Sequence, residues 1–202
     1  MIRPGLARLA AAGAATPLAA ALAGCITLFP AEKPVQLYRF DAQAQAGPGG
    51  GHAFAVRTTS TEFDPAAAGD RIMTVDGDQV GYLEPGRWAS PAVQLFDAAV
   101  AHGFAGGPVR LVGSTAKAQY RLHLGVSRFE ARYTSGPTAP PTVLIVLRAS
   151  LERQSDLSTV DSKEFQAEAA ASDNRFGPIV EAFDQATTKV VGDLVAWVDQ
   201  AG

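Results

Sequence analysis

Residues 118–133 read AQYRLHLGVSRFEARY, and from Tyr120 to Val126 apolar and polar side chains alternate one by one. Tyr120, Leu122, Leu124 and Val126 fall on one side, with Arg121, His123 and Ser127 on the other. A period of two belongs to a strand that packs one face and wets the other. This stretch therefore predicts a sheet covered on one side. Further on, Val143 to Leu147 is continuously apolar and then alternates through Ala149 and Leu151, the pattern of a strand buried on both faces. Ser158 to Glu168 is expected to pair with it across a turn at Ser155-Asp156. Pro178 then opens a predicted helix in which Ile179, Phe183, Ala186, Val190, Leu194 and Trp197/Val198 recur at spacings of three and four.

Working back toward the N-terminus, Val109 to Val112 reads as a strand. Ser90-Pro91 is expected to start a helix, with the serine capping free amides and the proline in the first helical position. Val93, Phe96, Ala99 and Val100 would form its apolar face, and Gly103 would end it. Ile72–Val75 and Val80–Leu83 flank Asp76-Gly77 and predict a hairpin. Asp76-Gly77-Asp78 is a turn and not a calcium loop, because Val80 stands where an oxygen ligand is needed. Phe54 and Val56 mark a first strand. The fold class that follows is α+β: a mixed or antiparallel sheet with two amphipathic helices packed on one face, in a single domain over 53–202. No internal repeat is present.

The N-terminal end carries a different message. Arg3 and Arg8 precede an uncharged, alanine-rich stretch from Leu9 to Ala23, and Leu22-Ala23-Gly24-Cys25 follows, with Cys25 the only cysteine. These are the charged, apolar and small-residue regions of an export signal. The ending is that of a bacterial lipobox, in which a diacylglycerol is thioether-linked to the cysteine and the chain is cut before it. Ala23 and Gly24 let the backbone enter a peptidase site extended, and the thiol is the one side chain nucleophilic enough to take the lipid. The apolar run is Ala/Gly-rich and interrupted by Pro17, too short to span a bilayer comfortably. Residues 1–24 are thus expected to be removed, leaving acyl chains on Cys25 as the membrane anchor. Residues 25–52 are expected to form a tether: Pro30 and Pro34 stiffen its start, Val35 to Phe40 reads as a short strand, and Ala42 to Gly51 (AQAQAGPGGG) is low-complexity. That glycine run has no Lys-Ser/Thr after it and is no phosphate cradle.

Removing 24 of 202 residues leaves 178, enough for one domain with a sizeable core. The two leader arginines come off 17 basic residues, so 15 stand against 20 acidic ones and the net charge is −5. A mildly acidic chain has no electrostatic case for binding nucleic acid. An acylated cysteine leaves no disulfide and no thiolate metal site, and no second long apolar run is present. The anchor is lipid, and two or three chains at roughly 0.8 kcal/mol per methylene make it permanent.

One enzyme signal needs weighing. Ser114-Thr115-Ala116-Lys117 matches the S-x-x-K of penicillin-binding enzymes and Ser172-Asp173-Asn174 their S-D-N. That serine must start a helix so that the lysine reaches its hydroxyl, whereas Ser114 precedes an alternating strand, and no K-T-G follows. His52, His102 and His123 show no metal-ligand spacing. The residues present no catalytic constellation and imply no metal and no cofactor beyond the acyl chains.

Together, the lipobox, Tyr38-Arg39-Phe40, Arg71-Ile72-Met73 leading through Val80-Gly81-Tyr82 to Arg87-Trp88, the helix after Trp88, and Tyr120-Arg121-Leu122 to Phe129-Glu130 resemble the ABC-type transport auxiliary lipoprotein family. These are small outer-membrane lipoproteins related to paraquat-inducible protein C. The long AQAQAGPGGG insert departs from the family's usual pattern. The resemblance implies a non-catalytic role beside an ABC permease and ATPase and a periplasmic protein with MCE domains that together move lipids across the Gram-negative envelope. Ile26 stands where an inner-membrane retention signal would be aspartate, which implies the inner leaflet of the outer membrane. A homo-oligomer is compatible with this role. The competing reading is a docking or pilot lipoprotein of another outer-membrane assembly. Trp88, just before the first helix, is expected to be structural, closing the sheet over that helix's first turn.

Overall fold

The computed structural model describes residues 35–41, 53–113 and 115–201. Along the chain lie β1 (Leu37–Tyr38), β2 (Phe54–Thr58), β3 (Glu62–Phe63), β4 (Arg71–Asp76), β5 (Gln79–Trp88), α1 (Ala92–Phe104), β6 (Val109–Val112), β7 (Tyr120–Arg132), β8 (Thr142–Arg153), β9 (Thr159–Ala170) and α2 (Phe176–Ala201). β7 is the spine of one open, mixed sheet. On one side it pairs antiparallel with β8 over its whole length, and β8 pairs antiparallel with β9. Its other side is shared by three short parallel partners in succession: β2 at Tyr120, β3 at Gly125 and β4 at Ala131. β6 flanks β2, while β5 flanks β4 and carries β1 at its edge. α2 lies over β8 and β9, and α1 packs on α2, so both helices cover the same face.

One extra residue in β7 keeps that face apolar. The register slips between Val126 and Arg128, so buried residues run Leu122, Leu124, Val126 and then, after a step of three, Phe129 and Ala131. A bulge absorbs the added residue and returns the following side chains to the core. Phe129 then stands amid five other rings: Phe183 at 4.9 Å, Phe63 at 5.4 Å, Phe40 at 5.6 Å, Trp88 at 6.3 Å and Phe96 at 6.4 Å. Val143, Leu144 and Ile145 are buried in succession; beyond them Arg148 is exposed, so β8 is covered on both faces only at one end.

Several local expectations are corrected. Pro91 is the N-cap of α1 and not its first helical residue, and no side chain caps that end. Ala92 is buried while Val93 is only half-buried, and Gly103 lies inside the last turn. The hairpin turns on Gly77-Asp78, since Asp76 still pairs with Gln79; Gly77 takes φ +57°. α2 begins at Phe176, before Pro178, whose missing amide costs nothing in a first turn. All the predicted apolar positions of α2 are buried. Trp88 is 2% exposed, and its ring stands edge-on to Phe183 of α2 at 5.2 Å and to Phe40 at 5.3 Å.

Residues 35–41, inside the stretch read as tether, are built into the domain. Tyr38 pairs with Trp88 in the sheet and stacks on Phe176 at 5.4 Å. Phe40 is buried, and the Asp41 amide donates to Asp184 Oδ1 at 2.9 Å. Phe176 in turn rests against Gly86, where an added Cβ would come within 2.2 Å of its ring.

Two substitutions test this packing. Trp88→Ala removes a ring from the aromatic core and should cost about 3–5 kcal/mol, read as a large fall in denaturation midpoint. Gly86→Ala should destabilise by about 1–3 kcal/mol through collision with Phe176, and Phe176→Ala in the same chain should remove most of that added cost in a double-mutant cycle.

Candidate functional site

The face of the sheet without helices is where polar chemistry collects. On β7 it carries Arg121, His123, Gly125, Arg128, Glu130 and Arg132, each set by the period of two and by the bulge. The segment 59–70 runs beside β7 and is pinned both to that strand and to α1. Asp64 donates its amide to Val126 O at 3.0 Å, while its carboxylate and carbonyl accept the amides of Ala66, Ala67 and Ala68 at 2.9 Å each. Tyr82 Oη donates to Ala66 O at 3.1 Å, and Thr61 Oγ1 donates to Asp97 on α1 at 2.5 Å.

Two clefts flank this pinned turn. One, of about 510 Å³, is bounded by Glu62, Phe63, His123, Ser127, Arg148 and Ser150. The other, of about 520 Å³, is bounded by Met73, Val80, Arg128, Glu130, Arg132 and Tyr133. Several of their charges are paired. His123 Nε2 lies 3.1 Å from Glu152 Oε2, and Arg148 Nη2 donates to Glu164 Oε2 at 3.1 Å. Arg132 Nε donates to Glu130 Oε1 at 2.7 Å. Glu130, 3% exposed, is the one buried carboxylate among the described residues, and Arg132 is its compensating charge. Burial pushes the Tyr133 phenol above its ordinary value, so it stays protonated and donates to Asn174 Oδ1 at 2.8 Å.

These groups make a polar surface on which the Glu130–Arg132 pair has a buried carboxylate and the others are more exposed. Ser150 stands opposite His123 in register, yet among the described residues it makes no hydrogen bond to that ring, so no serine–histidine relay forms there. Ser114 lies outside the described residues; Lys117 is exposed, and residues 115–119 hold no helix. Asn174, of the S-D-N match, ties the start of α2 to the far end of β7, its Nδ2 donating to Pro137 O at 3.0 Å. His102 is exposed at the end of α1, and His52 lies outside the described residues. No group of three His, Cys, Asp or Glu that could hold a metal occurs among the described residues. Leu22, Ala23, Gly24 and Cys25 also lie outside them. The alternation revealed the polar residues of this face, but the clefts could not be read, because they depend on where segment 59–70 settles.

A single α+β domain with one helix-covered and one polar open sheet face defines the class of protein. Residues 36–195 match the family of the ABC-type transport auxiliary lipoprotein component. The chain belongs to that family, and so is a lipoprotein component associated with an ABC-type transport system. A Xanthomonas campestris protein of known crystal structure is similar in fold, with a TM-score of 0.74 at 23% identity, covering 83% of this chain and 96% of its own. A hypothetical protein from Chlamydia trachomatis gives 0.51 at 8% identity, covering 73% of this chain and 96% of its own. At such identities the likeness is one of fold. No curated protein matches the chain.

Arg132→Ala should leave Glu130 buried without its partner and destabilise the domain by about 1–3 kcal/mol. Arg132→Lys should recover part of that loss, and thermal melts of the three proteins at neutral pH check the order.

Proposed function

We propose that the protein is the outer-membrane-anchored auxiliary lipoprotein of an MCE-linked ABC lipid transport system, docking the periplasmic conduit without performing chemistry of its own. The observation that carries this reading is the family match over residues 36–195, nearly the whole folded domain. Leu22-Ala23-Gly24-Cys25 supports a lipid anchor after removal of residues 1–24, and Ile26 supports sorting to the inner leaflet of the outer membrane. Among the described residues no helix is long and apolar enough to cross a membrane, so lipid on Cys25 is the attachment the sequence offers. The open sheet face supports docking, since its side chains sit on a rigid scaffold of paired strands, as contact surfaces require.

Two measurements test the reading. Cys25→Ala should abolish acylation, giving an uncleaved precursor or a protein released into the periplasm; fractionation with the outer membrane at normal processed mass would refute the anchor. Affinity capture of the tagged wild type from detergent-solubilised envelopes should recover an MCE protein or the ABC subunits. Recovery of a different outer-membrane assembly in their place would favour the docking or pilot lipoprotein.

A further inference from the structure

Four large apolar side chains are prominently exposed among the described residues: Val35, Leu37, Val80 and Leu157. Two of them, Val35 at 50% and Leu37 at 65%, lie within the first three described residues, at the edge strand β1. Their direction is fixed by their neighbours. Tyr38 stacks on Phe176, and Phe40 enters the core, so the alternation of an extended chain turns Val35, Leu37 and Arg39 to the open face of the sheet. There Leu37 pairs with Arg87, and Arg87 pairs with Arg71 across the next strand. Like charges placed directly opposite repel. Arg87 has only an exposed partner, Asp70 at 3.5 Å, as Arg39 has in Asp41 at 3.0 Å. Pairs so exposed hold their partners weakly. The patch is thus two apolar side chains rimmed by three guanidinium groups, that of Arg71 lying 3.6 Å over the Tyr82 ring; arginines of this kind can bury their stems among apolar groups and offer their heads to anions.

We propose that this edge, Val35 and Leu37 with Arg39, Arg71 and Arg87, rests on the anionic leaflet that holds the lipid anchor. The inference builds on the anchoring reading above. Its occupant is chosen by chain length. Cys25 and Val35 are ten Cα steps apart, at most about 33–36 Å of chain. A compact domain of this size has a radius of gyration of about 15 Å, so the connection is no longer than the domain is wide. Two exposed apolar residues would not hold a free protein on a bilayer. On a short leash, however, contact becomes an intramolecular event at an effective concentration in the millimolar range. Residues 42–52 add nothing to that leash, because they follow β1 and only join it to β2. The domain is thereby tilted in one orientation, β1 edge down, and the far side of the sheet is presented to the periplasm.

The test uses the full lipoprotein in vesicles of phosphatidylethanolamine and phosphatidylglycerol. Since acylation consumes the sole natural thiol, Leu37→Cys introduces the one cysteine free to take an environment-sensitive fluorophore, and Leu157→Cys serves as the comparison. The label at 37 should shift to the blue and show roughly twofold stronger quenching by doxyl-labelled lipid than the label at 157, as expected for side chains reaching the headgroup–acyl boundary. Equal emission and quenching at the two positions, in protein that floats with vesicles and carries the lipid by mass, overturns this inference alone. A blue shift at 37 that grows with protein density and ignores doxyl lipid assigns the edge to a second copy of the chain and likewise overturns it. Protein that neither floats nor carries lipid overturns the anchoring reading and this inference with it.

Discussion

The packing of Phe129 against five other aromatic rings is the contact on which the rest of the molecule depends. Those rings come from the segment before β2, from β3, β5 and both helices. One side chain therefore links β7 to the segment before β2, to β3 and β5 and to both helices. Edge-to-face and tilted pairs each add about 0.5–1.5 kcal/mol beyond the apolar area they bury, and such a cluster is stiff because each ring is wedged by the next. Phe129 can occupy that place only because β7 carries an extra residue at Ser127-Arg128. Without the bulge, a strict period of two would send Phe129 to the open face and Arg128 into the core.

The same bulge explains what could and could not be read from residues alone. β7 and α2 were legible from long periodic runs, β8 from its apolar run, and β9 as the partner expected across the turn from β8. The step of three from Val126 to Phe129 was in plain view too, but an isolated break in alternation does not announce whether a strand ends or bulges. β3, with two residues, has no period at all. The parallel pairing of β2, β3 and β4 along β7 is a long-range arrangement for which no local propensity speaks. Pro91 and Gly103 show that cap residues mark the neighbourhood of a helix end and leave its boundary open by a residue or two. Of the candidate site, the polar side of β7 followed from alternation, whereas the burial of Glu130 did not, since alternation places a side chain on a face without saying how deeply it is covered.

The two faces of the sheet divide the work. The helix-covered face supplies stability through rings and branched aliphatics, and the bare face keeps fixed charges on strands that cannot move independently. The docking role proposed above is well served by this arrangement. Its contact surface can change in sequence without touching the core, because alternate residues of the same strand belong to different faces. Divergence to 23% identity with the fold kept, as in the Xanthomonas protein, is consistent with that freedom.

The docking of residues 35–41 has a mechanical consequence. In the anchoring proposed here, tension between the bilayer and a bound partner enters the domain through β1, which is held by its pairing with β5, by the burial of Phe40 and by the Asp41–Asp184 bond. Under load those contacts yield before the long β7–β8 ladder does, because they are few and lie at an edge. Once they part, residues 35–52 join the leash, adding about 60 Å of contour length while β7, β8 and β9 remain paired. The first strand thus acts as a breakaway link, lengthening the connection to the membrane under strain and sparing the sheet behind it.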